Sequence, residues 1–274
     1  MSDIGEDSLP ESFLKTRSGK QFESTSGPWV GNEITKGLGK GEAFVIAATL
    51  DSFGDVSLPR GEIGLSLSLK HLDSRRRFLA GRRLIRGVIA PWFGVKPDQV
   101  PLSLGSAGKP YLECPAYAVG VESGNPTPHL GLAHSGEIVM AVFSGVECGI
   151  DVERQRPLDA LGLAERFFSR EESLFLATLD KGALEENFFR FWTMREAAIK
   201  ADGRGMGALL SSTRIPLESQ SDHQSGLEGL SDRCIAVSIG ETIWQTHPWR
   251  MRGGYHASVA FAEMPRAIHW HDLR

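Results

Sequence analysis

Residues 149–153 read Gly-Ile-Asp-Val-Glu, and residues 191–200 read Phe-Trp-Thr-Met-Arg-Glu-Ala-Ala-Ile-Lys. The first segment predicts a strand, in which Asp151 and Glu153 point to the same face about 7 Å apart. The second predicts a helix, in which Glu196 and the lysine four residues later share a face. Three converging carboxylates suit a hard cation such as Mg²⁺, and a neighbouring lysine suits a developing negative charge. Together the segments predict chemistry on a phosphate ester.

Each pattern also has an ordinary structural explanation. Glu196 and Lys200 match an i,i+4 surface pair, which stabilises a helix by only about 0.2–0.5 kcal/mol. The acidic residues at 151 and 153 match the solvent face of an edge strand. However, the stripe that carries Glu196 also carries Phe189 and Trp192, which indicates a partly buried face where charges need partners. The residues alone leave both interpretations open.

The composition is that of a globular protein. The chain has 274 residues, with 30 Lys and Arg against 34 Asp and Glu, and its net charge of −4 argues against a general nucleic-acid binder. No apolar run approaches the ~20 residues of a membrane span, and the N-terminus lacks a secretory layout. The three cysteines have no metal-ligand spacing, and their odd number argues against a disulfide framework. We therefore expect a cytoplasmic protein without nucleic-acid or membrane partners.

Hydrophobic patterning divides the chain into two bodies with a tail at each end. Residues 1–40 are polar with weak periodicity and predict a flexible tail. We expect an N-terminal α+β half over 41–143, a C-terminal α+β half over 144–265 and a C-terminal tail over 266–274. The predicted strands cover 43–48, 138–143, 147–153, 234–239 and 256–262, the predicted helices cover 74–90, 158–180 and 185–202, and 113–130 is a Pro- and Gly-rich loop.

A weak internal sequence repeat indicates that the two halves are related. The pattern Arg-Phe-x-x-x-Arg at 77–82 recurs at 190–195, in both cases within a predicted helix. The strand after His-Ser-Gly at 134–136 resembles the strand after Gly-Gly-Tyr-His-Ala at 253–257. Partners at similar separations predict an ancient duplication. We therefore expect an α+β fold of two similar halves that share a cleft, which is a common place for ligands.

Five motifs in a fixed order carry a resemblance to a known family. They are Gly-Lys-Pro-Tyr at 108–111, Ala-His-Ser-Gly at 133–136, Gly-Ile-Asp-Val-Glu at 149–153, Phe-Phe-Ser-Arg-Glu-Glu at 167–172 and Trp-Thr-Met-Arg-Glu-Ala-Ala-Ile-Lys at 192–200. Together they resemble the 4′-phosphopantetheinyl transferase superfamily over about residues 60–262. The length and the two apparent repeats look like the Sfp-type branch, whose members are monomeric, intramolecular pseudo-dimers.

The resemblance implies a specific reaction. Such enzymes move 4′-phosphopantetheine from coenzyme A to a serine of an apo acyl or peptidyl carrier protein and release adenosine 3′,5′-bisphosphate. By this resemblance Asp151, Glu153 and Glu196 would hold Mg²⁺, and Mn²⁺ accepts the same ligands. Glu196 and Lys200 would be catalytic, the first as base for the carrier serine, directly or through water. The second would stabilise the departing phosphate.

The resemblance also implies a binding site for coenzyme A and a set of secondary residues. The implied coenzyme A contacts are Arg77, Gly108, Lys109, Pro110, Ala133, His134, Asp151 and Lys200. The implied secondary residues are Arg82, Glu172 and Arg195. Two positions depart from the family pattern, since Arg195 stands where lysine is usual and Ala133 where serine is frequent. The carrier protein and its pathway (fatty acid, polyketide or nonribosomal peptide) are not identified by these residues.

Two other functions compete with the transferase. The first is a non-catalytic coenzyme A or carrier-protein binding module on the same fold, against which the complete set of acidic residues and Lys200 argues. The second is another Mg²⁺-dependent phosphoryl-transfer enzyme. The sequence contains neither the phosphate-binding loop Gly-x-x-x-x-Gly-Lys-Ser/Thr nor kinase motifs, which argues against the second.

Overall fold

The computed structural model describes residue 34 and residues 36–113, 127–205, 209–217 and 234–273. The strands are β1 (Ala43–Thr49), β2 (Leu102–Leu104), β3 (Pro110–Leu112), β4 (His129–Ser135), β5 (Ile138–Ser144), β6 (Cys148–Arg154), β7 (Thr213–Arg214), β8 (Ile235–Ile239), β9 (Thr242–Met251), β10 (Tyr255–Phe261) and β11 (Ile268–Leu273). The helices are α1 (Arg60–Ser68), α2 (Leu72–Phe93), α3 (Ala160–Phe167), α4 (Arg170–Ala177) and α5 (Lys181–Asp202). None of these helices is long and apolar enough to cross a membrane. The mixture of helices and mainly antiparallel sheets confirms the predicted α+β class.

The N-terminal sheet has the strand order β11-β1-β5-β4, and α2 packs on one of its faces. The sequence of β1 is apolar because both faces of the strand are covered. Successive side chains of a strand point to opposite faces. Phe44 and Ile46 accordingly join a core with Leu84 and Ile85 of α2, whereas Val45 points to the opposite side of the sheet.

The C-terminal sheet has the strand order β6-β10-β9-β8-β7, and α5 packs on it. This helix has well-defined ends. The Asp180 side chain accepts hydrogen bonds from the backbone nitrogens of Gly182 and Ala183, both at 3.0 Å, which satisfies free donors of the first turn. The helix stops at Gly203, whose φ of 77° is the left-handed conformation that glycine adopts without strain.

A third hydrophobic core lies between the two sheets. It joins Val45 and Val142 of the N-terminal sheet to Ile150 and Val259 of the C-terminal sheet. The strand order β1-β5-β4 in one sheet matches β6-β10-β9 in the other, and both sets pair antiparallel. The relation of the halves as an intramolecular pseudo-dimer stays a prediction that this match supports.

The predicted C-terminal tail over 266–274 is wrong for Ile268–Leu273. These residues form β11, which pairs parallel with β1 at the edge of the N-terminal sheet. Aromatic contacts explain the pairing: His269 stacks on Phe44 with ring centroids 4.8 Å apart, and Trp270 packs edge-on against Trp249 at 4.2 Å. The chain therefore returns from the C-terminal half to complete the N-terminal sheet.

The predicted N-terminal tail over 1–40 also ends too late. Ile34 and Leu38 are buried in the core to which α2 also contributes, so the packed part of the chain begins before residue 40. Residues 1–33 and 35 of the predicted tail and most of the predicted loop at 113–130 lie outside the described residues.

Two helix predictions need correction. The helix predicted to stop at Pro91 continues to Phe93, and Gly94 in the left-handed conformation ends it. The single helix predicted over 158–180 is two helices. Ser169 separates them as a capping residue: its side chain accepts from the backbone nitrogen of Glu172, whose carboxylate accepts in return from the nitrogen of Ser169.

Candidate active site

A glycine brings β6 against α5 and so assembles the site. A Cβ atom on Gly149 would lie 2.3 Å from the carbonyl oxygen of Ala197 and 2.3 Å from the nitrogen of Ala201. Only a residue without a side chain permits this approach of strand and helix backbones. Asp151 follows two residues later on the same face of β6, and it therefore points to the turn of α5 that carries Glu196.

Four charged residues meet at this crossing, and we call Asp151, Glu153, Glu196 and Lys200 the acidic centre. The Lys200 ammonium lies 2.6 Å from Asp151 Oδ1 and 3.8 Å from Glu196 Oε2. Asp151 and Glu196 are only 2 % and 7 % exposed. The structure therefore brings together Asp151, Glu196 and Lys200, as the sequence predicted.

The negative charge of the acidic centre exceeds what one lysine balances. Burial raises the pKa of Glu196 to about 8, and the nearby carboxylates of Asp151 and then Glu153 add to the rise. Burial opposes the charge of Lys200, yet Asp151 and Glu196 raise the pKa of its ammonium above the usual value. The site favours additional positive charge.

The acidic centre fits a divalent cation. Among the described residues, Asp151 Oδ2 is a buried carboxylate oxygen without a hydrogen-bond partner. Buried charge of this kind is stable only when it is paired or coordinates a metal, and carboxylate oxygens are the ligands that Mg²⁺ prefers. The cluster is not preassembled, however: the described part of the chain contains no group of three or more His, Cys, Asp or Glu already placed to hold a metal. Lys200 occupies Asp151 Oδ1 instead.

A cleft of about 190 Å³ opens beside the acidic centre. Its walls include the predicted loop at 108–110, Gly131 of β4, and Ile199 and Lys200 of α5. The predicted loop and the predicted catalytic lysine therefore face the same space, although at least 90 positions separate them in the chain.

A short hairpin presents Lys109 to the cleft. Strands β2 and β3 pair, and Gly108 between them has a φ of 80°, which requires glycine. Lys109 Nζ donates to the carbonyl oxygen of Ala201 at 2.8 Å, which ties the hairpin to the last turn of α5. Burial lowers the pKa of the Lys109 ammonium below its usual value. This lysine is well placed to gain an anionic ligand.

His134 and Arg77 lie next to the acidic centre at the end of β4. Arg77 Nε donates to the carbonyl oxygen of Gly136 at 3.2 Å, which holds the arginine against the turn after His134. Partial burial lowers the pKa of the His134 imidazole, and the cations Lys200 and Arg77 nearby also act to lower it. Lys200 and Arg77 therefore place two positive charges beside His134, as expected for an anion site.

Ala133 does not present its side chain to this region. Its methyl group is buried in the core between the sheets, because alternation along β4 sends it to the face opposite His134. The predicted contact of Ala133 with coenzyme A is therefore restricted to its backbone.

Glu172 and Arg195, predicted as secondary site residues, belong to a structural network instead. They form an ion pair in which the side chains are 1 % and 0 % exposed. The Glu172 carboxylate also accepts from the backbone nitrogens of Ser169 at 2.6 Å and Ile215 at 2.7 Å. The Arg195 guanidinium lies 3.9 Å from the ring centroid of Phe168. These contacts bind α4 and α5 together and leave Glu172 without a free oxygen for a metal.

Arg82 is likewise placed outside the acidic centre. It lies 3.7 Å from Glu62 of α1, and Glu62 also forms two hydrogen bonds with Arg86 at 2.9 and 3.1 Å. Both arginines are buried within the N-terminal half. They attach α1 to α2, which corrects the predicted secondary role of Arg82.

Two residues near the acidic centre were not singled out from the sequence. Ser135 Oγ lies 3.0 Å from Glu153 Oε2, and Arg156 Nη1 lies 3.3 Å from the same oxygen. Arg156 lies three residues after Glu153, so its contact could have been predicted from the local sequence. Ser135 belongs to the motif at 133–136, but its contact forms only because β4 and β6 meet across two sheets.

Comparisons with known proteins agree with this geometry. A family model described as the 4′-phosphopantetheinyl transferase superfamily matches residues 147–260, which include the whole acidic centre. The chain is 34% identical over 187 residues to the 4′-phosphopantetheinyl transferase HetI of Nostoc sp., which covers 65% of this chain and 76% of that protein. It is 31% identical to two Bacillus subtilis 4′-phosphopantetheinyl transferases, ffp over 147 residues and Sfp over 156. These alignments cover 54% and 57% of this chain and 61% and 62% of the relatives, so the chain matches about three fifths of their length.

Proposed function

Because the chain belongs to the 4′-phosphopantetheinyl transferase superfamily, we propose that it transfers 4′-phosphopantetheine from coenzyme A to a serine hydroxyl of an apo acyl or peptidyl carrier protein, with release of adenosine 3′,5′-bisphosphate. One observation carries the proposal. Lys200 lines the cleft and at the same time contacts Asp151, so a diphosphate in the cleft would meet the acidic centre directly.

Asp151, Glu153 and Glu196 would hold Mg²⁺, and Mn²⁺ suits the same oxygens. A bound cation of this kind supplies Lewis-acid chemistry to the diphosphate of coenzyme A. Glu196 would accept the hydroxyl proton of the carrier serine while the serine oxygen attacks the β-phosphorus of coenzyme A. The Lys200 ammonium would neutralise charge that develops on the departing adenosine 3′,5′-bisphosphate.

The walls of the cleft would bind the nucleotide part of coenzyme A. Gly108 and Pro110 line the cleft, where their backbone could approach a flat base. Lys109 would contact a phosphate. The 3′-phosphate would bind near the end of β4, at His134, Arg77 and the backbone of Ala133. Arginine suits this role because its guanidinium forms two parallel hydrogen bonds with phosphate oxygens.

We further propose that the protein works as a cytoplasmic monomer. The core between the two sheets already covers the faces that two separate copies would bury against each other. Cys148 and Cys234, the two cysteines in the described part of the chain, are free, as expected in a reducing compartment. Sedimentation at several concentrations tests the monomer, which a concentration-dependent dimer would contradict.

Nucleotide release tests the proposed reaction. The protein is incubated with coenzyme A, Mg²⁺ and a panel of apo carrier proteins, and adenosine 3′,5′-bisphosphate is quantified by chromatography. We expect release that requires both the carrier and the cation, and that Glu196→Gln abolishes while Glu165→Gln, on an exposed site of α3, leaves unchanged. Binding of coenzyme A without release would instead support a non-catalytic binding module.

A further inference from the structure

Ser135 forms a hydrogen-bonded link between the end of β4 and the acidic centre. Its hydroxyl accepts from the backbone nitrogen of Arg154 at 3.0 Å and lies 3.0 Å from Glu153 Oε2. The backbone nitrogen can only donate, and an ionised carboxylate can only accept. The single hydroxyl proton of Ser135 is therefore directed to Glu153.

This link determines which oxygen of Glu153 is available. Ser135 and Arg156 both donate to Oε2, and among the described residues neither they nor any other donor is placed on Oε1. The Glu153 side chain is 23% exposed, so it would lose this orientation without a partner to hold it. The arrangement fixes one carboxylate oxygen against β4 and leaves the other free.

The link also crosses the boundary between the two sheets. Ser135 ends a strand of the N-terminal sheet, whereas Glu153 lies on β6 of the C-terminal sheet. Gly131 and Gly149 allow β4 and β6 to approach: a Cβ on Gly131 would lie 3.2 Å from the Cα of Gly149. The position of Glu153 therefore depends on both halves of the protein.

We propose that Ser135 is a positioning residue, which orients the Glu153 carboxylate so that Oε1 is presented to the divalent cation of the acidic centre. The proposal rests on the function proposed above only in assuming that the acidic centre binds a cation. Outer hydrogen-bond partners of metal ligands typically contribute 10–100-fold to metal affinity. Ser135 is expected to act by hydrogen-bonding a metal ligand and not by contact with substrate.

Titration of the protein with Mn²⁺, followed by the electron paramagnetic resonance signal of the free ion, measures this effect without catalysis. We expect Ser135→Ala to weaken Mn²⁺ binding about tenfold. Ser135→Thr, which keeps the hydroxyl, is expected to stay near the wild-type affinity. Ser144→Ala is the matched control, because Ser144 also ends a strand and, like Ser135, accepts from a backbone nitrogen, that of Val146 at 3.2 Å. It is expected to bind Mn²⁺ like the wild type.

A double-mutant cycle shows whether Ser135 acts through Glu153. In the Glu153→Ala background, Ser135→Ala should cause no further loss of Mn²⁺ affinity. The proposal is overturned if Ser135→Ala binds Mn²⁺ like the wild type, if Ser135→Thr is as weak as Ser135→Ala, or if the loss persists without Glu153. A wild-type protein that binds no Mn²⁺ overturns it as well.

The same measurements separate this proposal from the proposed reaction. If Mn²⁺ affinity depends on Ser135 as expected but no apo carrier elicits nucleotide release, the transferase function fails and the positioning role stands. If nucleotide is released while Ser135→Ala binds Mn²⁺ normally, the positioning role alone fails.

Discussion

The Lys200 ammonium lies 2.6 Å from Asp151 Oδ1, on the side of the acidic centre that faces the cleft. The lysine therefore occupies one oxygen of Asp151, whereas the buried Oδ2 is left for the proposed cation. A cation at Oδ2 would repel the nearby ammonium, because the two charges have the same sign. Lys200 would then turn more readily toward the phosphates of coenzyme A, where the proposed chemistry requires a positive charge.

Replacement of Lys200 by Met should separate metal binding from catalysis. Without the ammonium, Asp151 is free of its competitor, so we expect Mn²⁺ affinity equal to or higher than that of the wild type. The transfer rate should fall on the order of 100-fold, as is typical when one group that stabilises developing charge is removed. Electron paramagnetic resonance and single-turnover transfer measure the two effects. A parallel loss of both would show that Lys200 supports the metal site.

Asp151→Asn should severely weaken the proposed metal site. The amide cannot replace the carboxylate in charge, so we expect Mn²⁺ affinity to fall by more than the 10–100-fold typical of outer partners. Asp159→Asn is the matched control: Asp159 caps α3 by accepting from the backbone nitrogen of Gly162 at 3.0 Å, and Asn caps helices equally well. Tight Mn²⁺ binding by Asp151→Asn would remove Asp151 from the ligand set.

Gly149→Ala tests the close approach that assembles the site. The added methyl group would meet two backbone atoms of α5 at 2.3 Å, which neither side chain motion nor a rotamer change relieves. We expect a loss of about 2 kcal/mol or more in the free energy of unfolding, measured by urea denaturation. The control is Gly64→Ala in α1, where nothing lies within 4 Å of the added atom and alanine favours the helix. Wild-type stability of Gly149→Ala would contradict the described contact.

Arg195→Met tests the assignment of Arg195 to a structural network. This change leaves the Glu172 carboxylate buried without its cation, which typically costs about 3–5 kcal/mol. Arg195→Lys keeps a positive charge and should cost less. Because neither residue contacts the acidic centre, the folded fraction of both variants should keep the wild-type turnover number. A stable but inactive Arg195→Lys protein would return Arg195 to the active site.

His256 should make the protein sensitive to mild acid. Burial, with the cations Arg250 and Arg190 nearby, lowers the pKa of His256 to about 4, whereas the unfolded chain takes up the proton near 6.5. Between these values only the unfolded state is protonated, so stability is present above pH 6.5 and is lost as the pH falls toward 4.

The expected loss from pH 7 to pH 5 is about 2 kcal/mol in the free energy of unfolding. His256 stacks on Phe189 and contacts Gln155 Oε1 through Nε2 at 3.1 Å, and His256→Gln retains a polar group there. Urea denaturation at the two pH values should show a smaller pH dependence for this variant. A parallel shift in variant and wild type would exclude His256 as the cause.

The sequence predicted those parts of the site that can be recognised from hydrophobic periodicity and from the order of the motifs. The strand with Asp151 and the helix with Glu196 and Lys200 both follow from periodicity, and their meeting follows from the resemblance. The structural role of Glu172 was also legible, because Ser169 followed three residues later by Glu172 is a capping-box pattern. This local pattern predicts a structural role for Glu172 and not a role in the acidic centre.

The parts that the sequence missed depend on contacts between distant segments. Strand β11 pairs with β1 across more than 220 positions (Ala43 with Ile268), and nothing in its own pattern identifies that partner. The link from Ser135 to Glu153 likewise arises only where two sheets meet. A hydroxyl at the end of a strand has no local feature that distinguishes it from a surface serine.

The most direct test of the account is the intact mass of an apo carrier protein after incubation with the wild-type protein, coenzyme A and Mg²⁺. We predict a gain of one phosphopantetheine group per carrier, located on a serine, that disappears when the cation is chelated or when Glu196 is replaced by Gln. A carrier panel whose masses stay unchanged, with a protein that binds both coenzyme A and Mn²⁺, would contradict the proposed transfer.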